Sequence, residues 1–119
     1  MRLGENIAER LINIGLAAFR VVKPLRKDQG TRHVAMQLIR AATSAGANYA
    51  EARAAESRLD FAHKAGLAAK EMREAHYWFT FLGRSGWLPD DLGSLVVEAA
   101  ELTAILCASS RTARSNAER

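Results

Sequence analysis

Apolar residues recur along this chain in alternating steps of four and three, which places them on one face of a helix. The pattern predicts four helices, at about residues 5–23, 32–53, 58–84 and 89–115. It is most regular in the third helix, where the apolar positions are Phe61, Ala65, Ala68, Met72, Ala75, Phe79 and Leu82.

Residues typical of helix ends separate the four stretches. Pro24 ends the first helix because proline cannot continue it. Thr31 is the predicted N-cap of the second helix, and Ser57 that of the third. Gly86 predicts a left-handed turn after the third helix. Pro89 is then expected in the first turn of the fourth helix, where proline is well tolerated.

Four amphipathic helices with short links can bury their apolar faces only against one another. We therefore predict an all-α protein, an antiparallel up-down-up-down four-helix bundle that forms a single domain over residues 1–119. The core is expected to be contiguous and to include one or more large side chains from every helix: Leu11, Leu38, Phe61, Met72, Phe79 and Leu102.

The first, third and fourth helices also carry apolar residues away from the core face. Ile12 and Phe19 in the first helix, and Trp78 and Phe81 in the third, are the largest of these. They fit a core face that is wider than usual, or an interface between subunits. A single bundle has limited inner surface, so we favour the interface and expect a homo-oligomer.

The bulk composition is that of one globular domain of 119 residues, with 49% hydrophobic and 25% charged side chains. Cys107 is the only cysteine, so no internal disulfide can form. No apolar run approaches the roughly 20 residues that span a bilayer. Charged residues near the N-terminus also argue against a signal peptide. We expect a cytoplasmic protein with no membrane association.

No pattern of residues predicts a reaction centre. A di-iron bundle needs two Glu-x-x-His motifs, and the chain contains none. His63 and His76 are too far apart on one helix to share a metal ion. Glu71 and Glu74 have basic neighbours at ion-pair spacing, and Cys107 has no nearby histidine to activate it. We expect no catalytic residues, no metal and no cofactor, and hence no enzyme.

Asn48 falls on the predicted buried face of the second helix. A buried amide is costly unless it is hydrogen-bonded, and a single polar core residue can fix helix register. We interpret it as a structural polar core residue, with Glu51 or a backbone group as its partner. A role in binding is the alternative.

Several groups of residues share the order and spacing of one known family. They are Ser44 to Arg53, Glu56-Ser57, Asp60-Phe61, His63-Lys64, Lys70-Glu71, Arg73-Glu74, Tyr77-Trp78, Leu102, Ile105-Leu106, Ser110, Thr112 and Asn116. In this combination the chain resembles the four-helix-bundle proteins encoded within 23S rRNA intervening sequences and at other bacterial loci. It departs from many members at Gly46, where they have proline, and at Ala52, where they have glycine.

This resemblance implies a left-handed up-down bundle, assembly into pentameric rings, and no known catalytic activity. Relatives include accessory proteins of diversity-generating retroelements, which are basic pentamers that work with a reverse transcriptase and nucleic acid. The shared motifs do not imply that this chain does the same work.

Positive charge is concentrated in one part of the chain. The net charge is +4, and residues 20–40 hold six basic side chains against Asp28 alone. In an up-down bundle, Lys23, Arg26, Lys27, Arg32 and Arg84 converge at one end; we call these five residues the basic end. It would suit the phosphates of RNA or DNA. The alternative is a protein-interaction module whose basic end meets an acidic protein partner.

Overall fold

The computed structural model describes residues 2–119, and four α-helices account for most of them. They are α1 (Leu3–Val22), α2 (Gln29–Arg53), α3 (Arg58–Ser85) and α4 (Gly93–Ala117). Each helix packs against the next in sequence, and α1 also meets α4, which closes an antiparallel bundle 51 Å long and about 22 Å wide. The predicted all-α four-helix bundle is confirmed.

The start of α2 differs from the prediction at Thr31. The cap is Asp28, whose Oδ1 accepts hydrogen bonds from the amides of Gly30 (2.7 Å) and Thr31 (3.4 Å). Thr31 instead lies in the first turn, where its hydroxyl donates to the carbonyl of Leu25 at 2.9 Å. Aspartate is a better N-cap than threonine, which favours the start of α2 at the earlier site.

The predicted start of the fourth helix at Pro89 is wrong. Residues 89–92 form an irregular connection, and α4 begins at Gly93. Asp91 accepts a hydrogen bond from the Gly93 amide at 2.8 Å, and Leu92 is buried against the core. Burial of Leu92 anchors the chain just before the helix, so the first turn forms after it.

The other three end signals act as predicted. α1 ends at Val22, and Pro24 lies in the short 3-10 turn Lys23–Leu25 that follows it. Ser57 caps α3 by accepting a hydrogen bond from the amide of Asp60 at 3.0 Å. Gly86 follows the helix with a φ of 76°, a left-handed conformation that side chains disfavour.

Buried side chains from all four helices form one contiguous core. Five of the six predicted large core residues are fully buried: Leu11, Leu38, Met72, Phe79 and Leu102. Phe61 is only partly buried, because it lies at the end of the bundle where α1 begins and lines an open groove with Leu3 and Ile105.

Arg10 forms two ion pairs across the contact between α1 and α4. Arg10 donates from Nε and Nη2 to the two carboxylate oxygens of Glu98 at 2.9 and 2.7 Å, and also to Glu101 at 2.8 Å. These hydrogen bonds lower the pKa of Glu98 and raise that of Arg10. Elsewhere α1 packs chiefly on α2.

Among the helices described for residues 2–119, only α4 is long and apolar enough to cross a membrane, by length and composition. A bundle helix with an apolar core face passes the same test. In α4 that face carries Ala99, Leu102 and Leu106, which are fully buried in the bundle.

Candidate interaction surfaces

A shallow apolar groove of about 230 Å³ runs between α1 and α2 on the outside of the bundle; we call it the α1/α2 groove. The side chains of Ile12, Leu16 and Phe19 form its α1 side, and they are 54%, 52% and 43% exposed. Its other lining residues are mostly small: Leu11, Gly15, Thr43, Gly46 and Ala47.

The two glycines explain why this surface is concave. A Cβ added at Gly46 would lie 3.7 Å from the Cβ of Leu11, and one added at Gly15 would lie 3.8 Å from the carbonyl oxygen of Ala42. These are ordinary van der Waals distances, so a methyl group would fit at either position, and its absence leaves the floor of the groove low. The large side chains of α1 (Ile12, Leu16 and Phe19) form one side of the groove.

A second apolar surface lies on the last turns of α3 and the connection that follows. It consists of Tyr77, Trp78, Phe81 and Trp87, which we call the aromatic cluster. Three pairs of rings meet edge-to-face. Their centroids are 4.9 Å apart for Tyr77–Trp78, 5.6 Å for Trp78–Phe81 and 5.8 Å for Phe81–Trp87. This geometry is the favoured one for aromatic pairs.

Members of the aromatic cluster differ in exposure. Trp78 is partly buried against the core, and its indole N–H donates to Glu74 at 3.4 Å. Tyr77, Phe81 and Trp87 are 57%, 38% and 44% exposed.

Sequence reasoning found Trp78 and Phe81 but missed Tyr77 and Trp87. The spacing of Tyr77 from Phe81, one helical turn, was a usable signal.

Polar contacts between α2 and α3 border the aromatic cluster. Arg40 forms ion pairs with Glu71 (Nη1 to Oε2, 2.9 Å) and with Glu74. The hydrogen bonds to Glu74 and Glu71 raise the pKa of Arg40. The two glutamates thus pair with α2, and not with the basic neighbours on their own helix that the sequence suggested.

The five residues of the basic end are all exposed. Lys23 follows α1, Arg26 and Lys27 lie in the connection to α2, Arg32 is in the first turns of α2, and Arg84 is near the end of α3. The antiparallel order brings these segments to one end of the bundle. Within residues 2–119, none of the five forms an ion pair.

The sequence matches a family model described as 23S rRNA-intervening sequence protein over residues 6–108. The chain belongs to this family. The match ends within α4, so the resemblance of Ser110, Thr112 and Asn116 lies beyond it.

A solved structure is similar to this member of the 23S rRNA-intervening sequence protein family. It is the 1.70 Å crystal structure of a protein of unknown function from the S23 ribosomal protein family of Bacteroides thetaiotaomicron. The two chains share 28% identity with a TM-score of 0.77, over 86% of this chain and 95% of the other. No curated protein matches the chain in sequence.

Asn48 lies at the edge of the core, not within it as predicted. Its side-chain amide is partly buried and donates to the carbonyl of Ser44, one turn earlier, at 3.0 Å. Tyr49 occupies the buried position instead. Ala45 and Ala52, the predicted core positions on either side, are buried, and Tyr49 fills the core between them.

The remaining candidate chemistry is dispersed. Cys107 is partly buried, and its sulfur accepts a hydrogen bond from Arg73 at 3.4 Å. Within residues 2–119, no group of three or more histidine, cysteine, aspartate or glutamate side chains could hold a metal ion. A larger groove of about 560 Å³ lies at the other end of the bundle, lined by Leu3, Arg58, Phe61, Ile105 and the last turns of α4.

Proposed function

We propose that this member of the 23S rRNA-intervening sequence protein family is a non-enzymatic scaffold that assembles into a homo-oligomer. We propose a pentamer, the number of subunits that the family resemblance implies. The observation that carries the proposal is the pair of exposed apolar surfaces, the α1/α2 groove and the aromatic cluster. Their exposed side chains lie outside the contiguous core that all four helices share. Exposed apolar patches of this kind usually mark interfaces.

The state of the carboxylates favours binding over catalysis. Glu71 and Glu74 are held by Arg40, and Glu98 by Arg10. General acid–base catalysis needs a group with its pKa tuned toward neutrality. The ion pair with Arg10 instead lowers the pKa of Glu98, which keeps it charged.

Sedimentation velocity or light scattering tests the assembly. Wild-type protein is expected as a particle several times the 13.0 kDa subunit mass, five times that mass for a pentamer. Placing glutamate at Phe19 or Phe81 should shift the particle toward the monomer, because an interface would bury that charge without a partner. Ile12→Glu and Trp78→Glu test the two remaining proposed interface residues.

Val97 provides the matched control. It is 64% exposed on α4 and is part of neither surface, so Val97→Glu should leave assembly unchanged. Equal particle mass for Val97→Glu and Phe81→Glu, or a wild-type monomer at all concentrations, would contradict the proposal.

The second candidate function is sequence-nonspecific binding of RNA or DNA at the basic end. It is favoured by five exposed cations at one end that have no ion-pair partner within residues 2–119. Phosphate contacts of this kind position a nucleic acid without reading its bases. An acidic protein would meet the same charges, and it is the alternative occupant.

A salt titration of binding to a labelled RNA and a matching DNA tests this function. Counterion release makes affinity fall steeply with salt, with a slope near −0.7 to −0.9 for each phosphate neutralised. Replacing Lys23, Arg26, Lys27 and Arg32 with alanine should weaken binding and make the slope shallower.

The control variant removes the same charge from the opposite end, with Arg2, Arg111, Arg114 and Arg119 changed to alanine. These four arginines are also exposed. Equal loss of binding in both variants would show a general charge effect and refute a site at the basic end. Absence of binding by wild type at low salt would favour the acidic protein partner.

A further inference from the structure

We infer that the aromatic cluster of one subunit docks into the α1/α2 groove of a second copy, so that the contact is heterologous. This inference rests on the proposed assembly and specifies which surfaces meet. The two surfaces share no residue: the groove belongs to α1 and α2, and the cluster to α3 and the connection after it.

The shapes of the two surfaces are complementary. The groove is concave because Gly15 and Gly46 leave its floor low between the helices. Its volume of about 230 Å³ can accept an aromatic ring, since a protein cavity of about 150 Å³ holds benzene. The cluster presents large rings, with Tyr77 and Trp87 exposed on either side of Phe81.

The aromatic cluster is also held in place before any partner arrives. Trp78 packs against the core and donates to Glu74, and Glu74 is paired with Arg40 of α2. Edge-to-face contacts then link Trp78 to Tyr77 and to Phe81. Rigid aromatic anchors lose little conformational freedom on binding and are typical of interface hot spots.

Symmetry explains why a second copy is the occupant. One chain carries both the concave and the convex surface, so any other copy supplies the missing half. When two copies join, each end of the pair still has one surface open. Contacts of this type generate a ring when the rotation between neighbours brings the last subunit back to the first, and an open filament when it does not. A two-fold dimer would instead need one surface that complements itself.

Mixing two variants tests the pairing directly. Ala47 is exposed and lines the groove, so Ala47→Glu should disable the groove while sparing the core. Phe81→Glu should disable the cluster. Each variant alone is expected to be monomeric. In an equimolar mixture, the intact cluster of Ala47→Glu can dock into the intact groove of Phe81→Glu, and assembly must stop at two subunits.

The mixture should therefore show a particle of twice the 13.0 kDa subunit mass in sedimentation velocity. A concentration series is needed because a single junction lacks the reinforcement of ring closure. Ala50→Glu is the matched control: Ala50 is exposed on α2 but outside the groove lining, so this variant should assemble like wild type.

Other outcomes identify which idea fails. A wild-type protein that assembles, with a mixture that stays monomeric, overturns the pairing but keeps the scaffold. Normal assembly by Phe81→Glu alone also overturns it. A monomeric wild type refutes the scaffold itself. Far-ultraviolet circular dichroism confirms folding, and Tyr77→Glu, at a more exposed position, replaces Phe81→Glu if that variant unfolds.

Discussion

Individual side chains in this bundle contribute very unequally to its stability. Phe79 is fully buried in the core, whereas Phe61 borders an open groove. Asn48 illustrates the same point for polar groups, because a bond to its own helix satisfies the amide without a tertiary partner. The extent of burial, and not the residue type alone, decides how much each side chain contributes to the stability of the fold.

Phe79→Ala should destabilise the fold by about 3–5 kcal/mol, because a large side chain leaves a cavity that close packing cannot fill. Phe61→Ala is the paired comparison and should have a smaller effect, since its side chain is already partly exposed. Urea unfolding followed by circular dichroism measures both. Equal losses would show that the core extends to the end of the bundle.

Glu98 should make stability depend on acid pH. The hydrogen bonds with Arg10 lower its pKa in the folded protein. A lowered carboxyl pKa stabilises the fold above the ordinary carboxyl range, and this contribution is lost as pH falls through the lowered value. Glu98→Gln should therefore lower the free energy of unfolding by about 1 kcal/mol at neutral pH. It should also make that free energy depend less on pH in the acid range. Glu101→Gln, at a more exposed site, should change the free energy of unfolding less.

Helix boundaries show how far a local signal can be trusted at the scale of an element. Ser57 caps α3 and Gly86 follows its end, as the local signals predicted. The cap of α2 is not Thr31 but Asp28, a better N-cap residue three positions earlier. The fourth helix does not start at Pro89. Leu92 is buried against the core, and this tertiary contact is not visible in the local sequence pattern.

Asp28→Ala should destabilise the bundle by about 1 kcal/mol, because the Gly30 amide loses its 2.7 Å hydrogen bond. Asp28→Asn should retain most of the stability, since its carbonyl oxygen can still cap the helix. Thermal unfolding distinguishes the two. A loss of equal size in both variants would mean that charge, and not capping, is what Asp28 provides.

The whole molecule carries information that the helical pattern does not. Periodicity was enough to predict the four helices, five of the six core side chains and the outward position of Ile12 and Phe19. It could not place Trp87, which lies outside any helix. The left-handed turn at Gly86 precedes Trp87, whose ring packs against Phe81 with centroids 5.8 Å apart.

Thermal stability should depend on protein concentration if the bundle assembles. Association that requires the native state raises the melting temperature by mass action. Wild-type protein should therefore melt at a higher temperature as concentration increases, while Phe81→Glu should not. Differential scanning calorimetry over a dilution series measures this. A constant wild-type melting temperature would be evidence for a monomer.

The position of α1 at the margin of the bundle has a consequence for local opening. It packs less extensively on α2 and α4 than α3 does on the same two helices, so it should detach at a lower free energy than α3. Its amide protons should then exchange with solvent deuterium first. Because α1 also forms one wall of the α1/α2 groove, a docked second copy should slow that exchange selectively, which Phe81→Glu would abolish.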